Sequence, residues 1–428
     1  MRLTGITEEL RRIYSSTLAR NASWIFLGQG FNTFLLAGYF VVLSRLLGVT
    51  EYGILAGATA FVAIVSPYSA LGSGLVFMRY VTADRARHGL YLGNILLTTV
   101  GMAAVLVAGL GLSANHILHA GSVSIVVPLA ISDCFCSQLT NALSQVFQTY
   151  EKPRKMILIS GANNLLRFCT ALALWSLDSH ATARQWALAN LGVSVALCVG
   201  TVLLITKELG LPRFSIRLSF QRMGEGFAFS LAGSASSVYT DFDKTMLSHY
   251  EMYAANGIYT VASRVVNMAV MPAFSMEMAA LPRLFQQRAG GFGDVVRYGN
   301  VVLKRSLIVG LLMTIVLFTV APLLPLMFGR GFAESVLALR WLALLPLFRS
   351  AHLILGSILT GAGLQHLRTG IQMAVAVINL ALNFWLIPRH GWMGAAWSAL
   401  TTDALLGIIY WLFIRWCLRV SQKDFAIC

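Results

Sequence analysis

Ionisable side chains crowd one stretch of an otherwise apolar chain. Between Phe227 and Arg264 the sequence reads FAFSLAGSASSVYTDFDKTMLSHYEMYAANGIYTVASR. It carries Asp241, Asp243, Lys244 and Arg264 between long runs of hydrophobic residues. Ser230, Ser234, Ser237, Asp241, Lys244 and Ser248 recur at spacings of three and four, which places them on one helix face. Hydrocarbon offers such a face no hydrogen-bond partner, so it must look into protein or into a water-filled cavity. Asp241 and Lys244, three residues apart, are placed to pair along the helix and keep the ammonium charged. Asp243 lies about 200° round the helix from Asp241 and is expected to face Arg264 across a helix interface.

Other apolar segments carry polar residues in the same way. One has Gln29, Asn32 and Thr33 on one side. Another has Asp133, Ser137, Asn141, Gln145 and Gln148, spaced four, four, four and three. Asn163, Asn164, Arg167, Asn267, Arg349 and Asp403 add to the set. The hydroxyls and amides of Thr33, Ser230 and Ser234 can act as interhelical glue, at about 0.6–2 kcal/mol per bond. Charges near a bilayer centre cost at least about 2.5 kcal/mol each, which points to a hydrated cavity for Asp133, Arg167, Asp241, Lys244, Arg264 and Arg349. The expected cavity lining is Gln29, Asn32, Asp133, Asn141, Arg167, Asp241, Lys244, Arg264 and Arg349. Four bases drawn from both halves suit an anionic headgroup, and arginine suits phosphate oxygens.

The elements that must hold these groups are membrane helices. The chain of 428 residues is 57% hydrophobic and 11% charged, with mean hydropathy +0.72, and apolar segments of about twenty residues recur with short gaps. The expected fold is all-α and polytopic, with twelve transmembrane helices in two six-helix lobes around a central cavity. The spans are expected at about 22–44, 54–78, 90–112, 123–147, 156–177, 185–205, 226–250, 257–280, 306–328, 335–359, 369–387 and 393–413. This divides the chain into an N-terminal lobe (1–206), a basic cytoplasmic link (207–225) and a C-terminal lobe (226–428). On this pattern 23 Lys and Arg fall in alternate links and tails and 5 on the other side, which predicts both termini in the cytoplasm. The halves echo each other: EYGILAGATA opens the second span and NGIYTVASR the eighth, with a proline fourteen or fifteen residues past the glycine (Pro67, Pro272). NNLLRF in the fifth span resembles VINLALNF in the eleventh. The lobes therefore read as parallel repeats about an axis along the membrane normal.

Several functions are disfavoured. A formal charge of +15 would suggest nucleic acid in a soluble protein, but the positive-inside bias accounts for it here. There is no GxxxxGK[ST] phosphate loop. The eight histidines form no HExxH, and Cys134 and Cys136, two apart, do not share a helix face. No catalysis, metal or cofactor is expected. The first apolar run contains Gln29 and Asn32 and reads as a spanning helix, not a cleaved signal.

Four blocks then resemble the polysaccharide and oligosaccharide flippases of the multidrug/oligosaccharidyl-lipid/polysaccharide export superfamily. They are SRLLGVTEYGI (44–54), FDKTMLSH with GIYTVASR (242–249 and 257–264), MFGRGFAES (327–335) and NLALNFWLIPRHGWMGAAWSAL (379–400). The resemblance implies two six-helix lobes and movement of undecaprenyl-pyrophosphate-linked oligosaccharide units from the cytoplasmic to the periplasmic leaflet of a bacterial inner membrane, by alternating access, for cell-surface polysaccharide biosynthesis. It implies protons or monovalent cations as coupling ions, with Asp133 and Asp241 as candidate coupling groups, and a polysaccharide polymerase as a partner. Two other readings stand beside it. One is a drug or cation antiporter of the same superfamily, or a flippase for another lipid-linked precursor. The other is a non-transporting member of an assembly complex. The charges within spans, four bases and five acids, nearly balance; the dispersed bases favour an anionic cargo.

Overall fold

The computed structural model describes residues 17–118, 120–150, 152–177 and 180–424. The described residues are helical nearly throughout, as expected. Ten helices among them are long and apolar enough to cross a membrane, so the chain is an all-α polytopic membrane protein. Helices α1 (Thr17–Val65), α2 (Pro67–Ala70), α3 (Ser73–Ala83), α4 (His88–Ile117) and α5 (Ala120–Ala130) come first. A π-helical segment, Ile131–Ser137, then leads into α6 (Gln138–Thr149), α7 (Pro153–Leu177), α8 (Ala183–Leu209) and α9 (Ile216–His249). The remainder comprises α10 (Tyr253–Gln287), α11 (Phe292–Val320), α12 (Leu324–Phe328), α13 (Ser335–Leu342), α14 (Leu345–Gly361), α15 (Gln365–His390) and α16 (Trp392–Asp424).

The count of ten differs from the expected twelve at two places. The first and second expected spans lie in one 54-residue apolar stretch, Gly30–Ala83. At 1.5 Å per residue this is about 80 Å long, more than twice a hydrocarbon core. It breaks at Gly48, whose φ of 69° and ψ of 175° belong to a region open essentially to glycine alone. The expected seventh span falls in α9, which is helical but too polar to rank among the ten.

The chain divides into two compact units, Met1–Asp241 and Phe242–Cys428, with the boundary inside α9. In the first unit the buried cluster is built from Val76, Phe77 and Val81 of α3, Tyr91 and Ile95 of α4, Leu143 and Phe147 of α6, and Ile205 of α8. In the second it is built from Leu284 of α10, Val295 of α11, Ile354 and Ile358 of α14, and Tyr410 of α16. Each cluster lies beside the basic links, where water is the competing solvent and apolar burial still drives packing. Deeper in a bilayer that drive is absent and side-chain hydrogen bonds matter more.

The links themselves are tied together. Lys152 and Lys155 both reach Glu208, and the Arg85 guanidinium lies 5.6 Å from the Tyr150 ring centre. At the other end of α8, Thr182 and Gln185 form a reciprocal capping box, which satisfies backbone donors the first turn leaves open.

Candidate functional site

The polar stripe of the fourth expected span opens onto a cavity within the first unit. Two features shape that span. Pro128 interrupts the backbone bonding of α5, and the next seven residues adopt π-helical turns. Such wide turns are rare and concentrate at functional sites, because they re-aim side chains and loosen backbone carbonyls. One carbonyl in this segment, that of Cys134, accepts a hydrogen bond from the Ser69 hydroxyl. Asp133 and Ser137 lie within it, and Asn141, Gln145 and Gln148 follow on α6.

The cavity has a volume of about 550 Å³ and is walled by those residues together with Ser160, Asn163 and Arg167 of α7 and Ser194 of α8. Its acid and its base face each other. The Arg167 guanidinium stands 4.0 Å from the Asp133 carboxylate, with side chains 22% and 24% exposed. This is a loose ion pair open to exchange, with amides and hydroxyls around it. Behind it lies a closed polar cluster. The Asn190 amide donates to Ser132 Oγ at 2.9 Å, and Ser132 and Ser194 share a 2.7 Å bond.

Of the residues singled out in the sequence, Asp133, Asn141 and Arg167 line this cavity. Asn32 is buried and donates from its amide to the lining hydroxyl of Ser160 at 2.7 Å. The side chain of Gln29 lies outside the described residues. Asp241, Lys244 and Arg264 do not line the cavity. The Asp241 carboxylate accepts from Thr240 Oγ1 at 3.1 Å, and Lys244 is buried. Asp243 accepts from the Tyr259 hydroxyl and from the Lys244 backbone N–H.

Arg349 belongs to a separate cluster in the second unit. Its Nε donates to Asp403 Oδ2 at 2.9 Å, and a terminal nitrogen donates to Asn267 Oδ1 at 2.7 Å. His352 Nε2 stands 3.5 Å from the other oxygen of Asp403, whose side chain is 1% exposed. A second buried carboxylate, Glu277, accepts from Ser357 Oγ at 2.7 Å and lies 3.5 Å from Arg368.

The serine stripe of α9 acts as interhelical glue. Ser230 Oγ donates to the Pro67 carbonyl at 2.9 Å and Ser234 Oγ to the Ile64 carbonyl at 2.7 Å. Proline has no N–H to continue a helix, so carbonyls around the break between α1 and α2 need outside donors. The serines supply them.

The sequence reading passed over Ser160, Ser194 and His352. Ser194 had no named polar neighbour on its own span; Ser160 is a hydroxyl one turn from the named Asn163, and that spacing was its available signal. His352 had one too: it follows Arg349 by three residues, on the same helix face.

A sequence profile for the family described as "Polysaccharide biosynthesis protein" matches residues 18–287. A Shigella dysenteriae protein called a putative O-antigen transporter is 22% identical over 376 residues, covering 86% of this chain and 93% of that one. An uncharacterised membrane protein of Methanocaldococcus jannaschii, MJ1375, is 25% identical over 189 residues, so the match spans 44% of each chain. Among solved structures, an inward-facing multidrug resistance MATE family transporter of the MOP superfamily superposes with TM-score 0.76 at 11% identity, covering 93% of this chain and 99% of that one. An outward-facing transporter of the same description gives 0.60 at 13%, covering 95% and 96%. At such identities the superpositions establish a fold, and the fold is that of MATE-type transporters. With that fold on one side and a profile match over more than half its length on the other, the chain belongs to the polysaccharide biosynthesis protein family.

Proposed function

We propose that this protein is an ion-coupled transporter of the superfamily that carries an amphipathic cargo by alternating access. The observation that carries the reading is the Asp133–Arg167 pair in the wall of the first unit's cavity. At 4.0 Å and partly solvated, the pair holds loosely. A proton or a cationic group arriving at Asp133 competes with Arg167, and an anionic group arriving at Arg167 competes with Asp133. Either event frees one member, and that release is what an exchange cycle requires.

The likeness to solved multidrug resistance transporters supports a drug exporter, here read as an antiporter. In this reading Asp133 alternates between coupling ion and Arg167, and the surrounding amides and hydroxyls solvate a drug-like cargo. A second reading has specific support in the family description and the Shigella relative's name: flipping of undecaprenyl-pyrophosphate-linked oligosaccharide units, with Arg167 on the pyrophosphate and Asn141, Gln145 and Gln148 on sugar hydroxyls. Twelve spans in two six-helix lobes, an inner-membrane location and cytoplasmic termini remain part of this proposal.

Purified protein in liposomes separates the two. One arm imposes a pH or sodium gradient and follows uptake of a fluorescent cationic dye. The other incorporates a polyprenyl-pyrophosphate-linked sugar and follows its exposure to an impermeant lectin. Gradient-driven dye uptake lost in Asp133→Asn supports the antiporter. Lectin exposure lost in Arg167→Ala supports the flippase. Neither activity, from protein of wild-type thermal stability, refutes the transporter reading.

A further inference from the structure

The segment joining α8 to α9 has two faces, and only one is covered. Its inner side is seated on the first unit. The Arg213 backbone N–H donates to the Gly89 carbonyl at 2.8 Å, and His88 Nε2 bonds the Leu209 carbonyl at 2.9 Å. Gly93 admits the Arg213 carbonyl so closely that a β-carbon there would sit 2.0 Å from it. On the first turns of α9, Leu218 packs against the buried cluster, and Arg222 bonds Tyr80 and Glu225 at 2.7 and 2.8 Å.

The outer side is apolar. Leu211, Phe214, Ile216 and Phe220 are exposed by 81%, 64%, 65% and 71%. At 100° per residue, Ile216 and Phe220 share a face with Phe227 and Leu231 further along α9, and those two are also exposed. The stripe therefore runs without a break from the link into the expected membrane span. At 34 residues, α9 is about 51 Å long against a hydrocarbon core of about 30 Å. Its first turns must emerge among the headgroups. Arg217 lies about 100° round from Ile216, at the edge of the apolar face. Neither Arg213 nor Arg217 has a carboxylate partner among the described residues, whereas the nearby acids are engaged: Asp84 by Arg87, Glu208 by Lys152 and Lys155, and Glu225 by Arg222.

We propose that residues 211–220 form an interfacial anchor that binds acidic phospholipid headgroups through Arg213 and Arg217 while Leu211, Phe214, Ile216 and Phe220 enter the acyl boundary. Apolar side chains ringed by arginine are the composition of such anchors. The occupant is the bilayer because the apolar stripe continues into the spanning part of the same helix. Its charge complement is an anionic lipid, since two unpaired guanidinium groups at headgroup depth attract phosphodiester oxygens. The consequence is that the link from α8 to α9 is held to the membrane surface as well as to the rest of the first unit.

The test uses the full chain in nanodiscs of phosphatidylcholine, with or without phosphatidylglycerol. Hydrogen exchange of residues 211–220 is expected to slow when phosphatidylglycerol is added, and more so at low salt. Native mass spectrometry should show retained phosphatidylglycerol falling about fivefold for each of Arg213→Gln and Arg217→Gln, with no change for the Lys304→Gln/Arg305→Gln control in the second unit. Equal exchange in both lipids, or the same loss in the control, overturns the proposal. The exchange measurement on the unmodified chain decides the matter even if the variants fail to fold.

Discussion

Replacing Arg349 with methionine breaks a close, largely buried ion pair inside the second unit. Arg349 Nε and Asp403 Oδ2 are 2.9 Å apart, and the Asp403 side chain is 1% exposed. At an effective dielectric of about 20 their attraction is about 6 kcal/mol. Desolvation of both groups offsets much of that, so the pair adds little net stability over an apolar replacement. Removing one member is different, because the buried carboxylate then keeps only weaker compensation, such as His352 Nε2 at 3.5 Å. Breaking a buried pair from one side costs about 3–5 kcal/mol; with His352 still beside Asp403 the lower end, about 3 kcal/mol, applies, and the lost bond to Asn267 adds about 1 kcal/mol. The unit Phe242–Cys428 has an unfolding entropy of about 0.4 kcal/mol/K at ordinary values per residue. A loss of about 4 kcal/mol then lowers its Tm by about 10 °C. Arg349→Met should show this fall in tryptophan-monitored melting of purified protein, and Arg349→Met/Asp403→Leu should recover most of it. A single variant within 2 °C of wild type, or a double variant no better than the single, would refute the reasoning. The first result would mean that water or another group reaches Asp403 freely.

Other outcomes follow from the same geometry. Gly93→Ala drives a β-carbon to 2.0 Å from the Arg213 carbonyl; the backbone must shift, at about 1–3 kcal/mol, and trypsin should cut after Arg213 and Arg217 faster than in wild type. Gly48→Ala places a side chain at φ 69°, ψ 175°, a strain of about 1–3 kcal/mol, read as a lower melting temperature. Ser234→Ala leaves the Ile64 carbonyl short of its 2.7 Å donor and should cost about 1–2 kcal/mol. At the link, the Tyr80 hydroxyl bond and the Arg222 guanidinium hold the Glu225 carboxyl below its usual 4.5. A lowered carboxyl stabilises the fold above its unfolded value, and the contribution fades as pH falls from about 4.5 through the lowered value. Hydrogen exchange at residues 216–225, corrected for intrinsic rates, should rise across that interval in wild type and stay flat in Glu225→Gln.

The sequence made the helices and the cavity stripe legible for one physical reason: polar side chains in a lipid-facing segment have few places to go. Spacings of four, four, four and three drew Asp133, Asn141 and their neighbours within about 120° of helix surface, a broad side that needed no knowledge of packing to find. The same argument could not assign partners. The Asp243 carboxylate takes the Tyr259 hydroxyl, a partner the reading did not name, because tyrosine is apolar enough to hide in a hydropathy pattern. The bonded partners of Arg349, Asp403 and Asn267, are 54 and 82 residues away in sequence, beyond any local periodicity. His352 was set aside with scattered histidines; only the approach of α16 to α14 gives it an acidic neighbour. The break at Gly48 falls in the link expected between the first two spans, where Arg45, Gly48 and Glu51 interrupt the apolar run; only the dihedral pair itself was beyond the sequence.

The wide turns at Ile131–Ser137 act as a phase correction in a rod. In a regular α-helix each step of four residues overshoots a full turn by about 40°, so a ladder spaced by fours winds off its starting side within three rungs. Wider turns wind back, and they keep Asp133 aligned with Asn141 and Gln145. Relaxing the seven residues to ordinary turns would rotate everything beyond Ser137 while leaving Asp133 in place. The amide rungs would then swing out of the wall, and the carboxylate would face Arg167 without them. A single-residue slip in winding is thus enough to exchange a wet wall for a dry one.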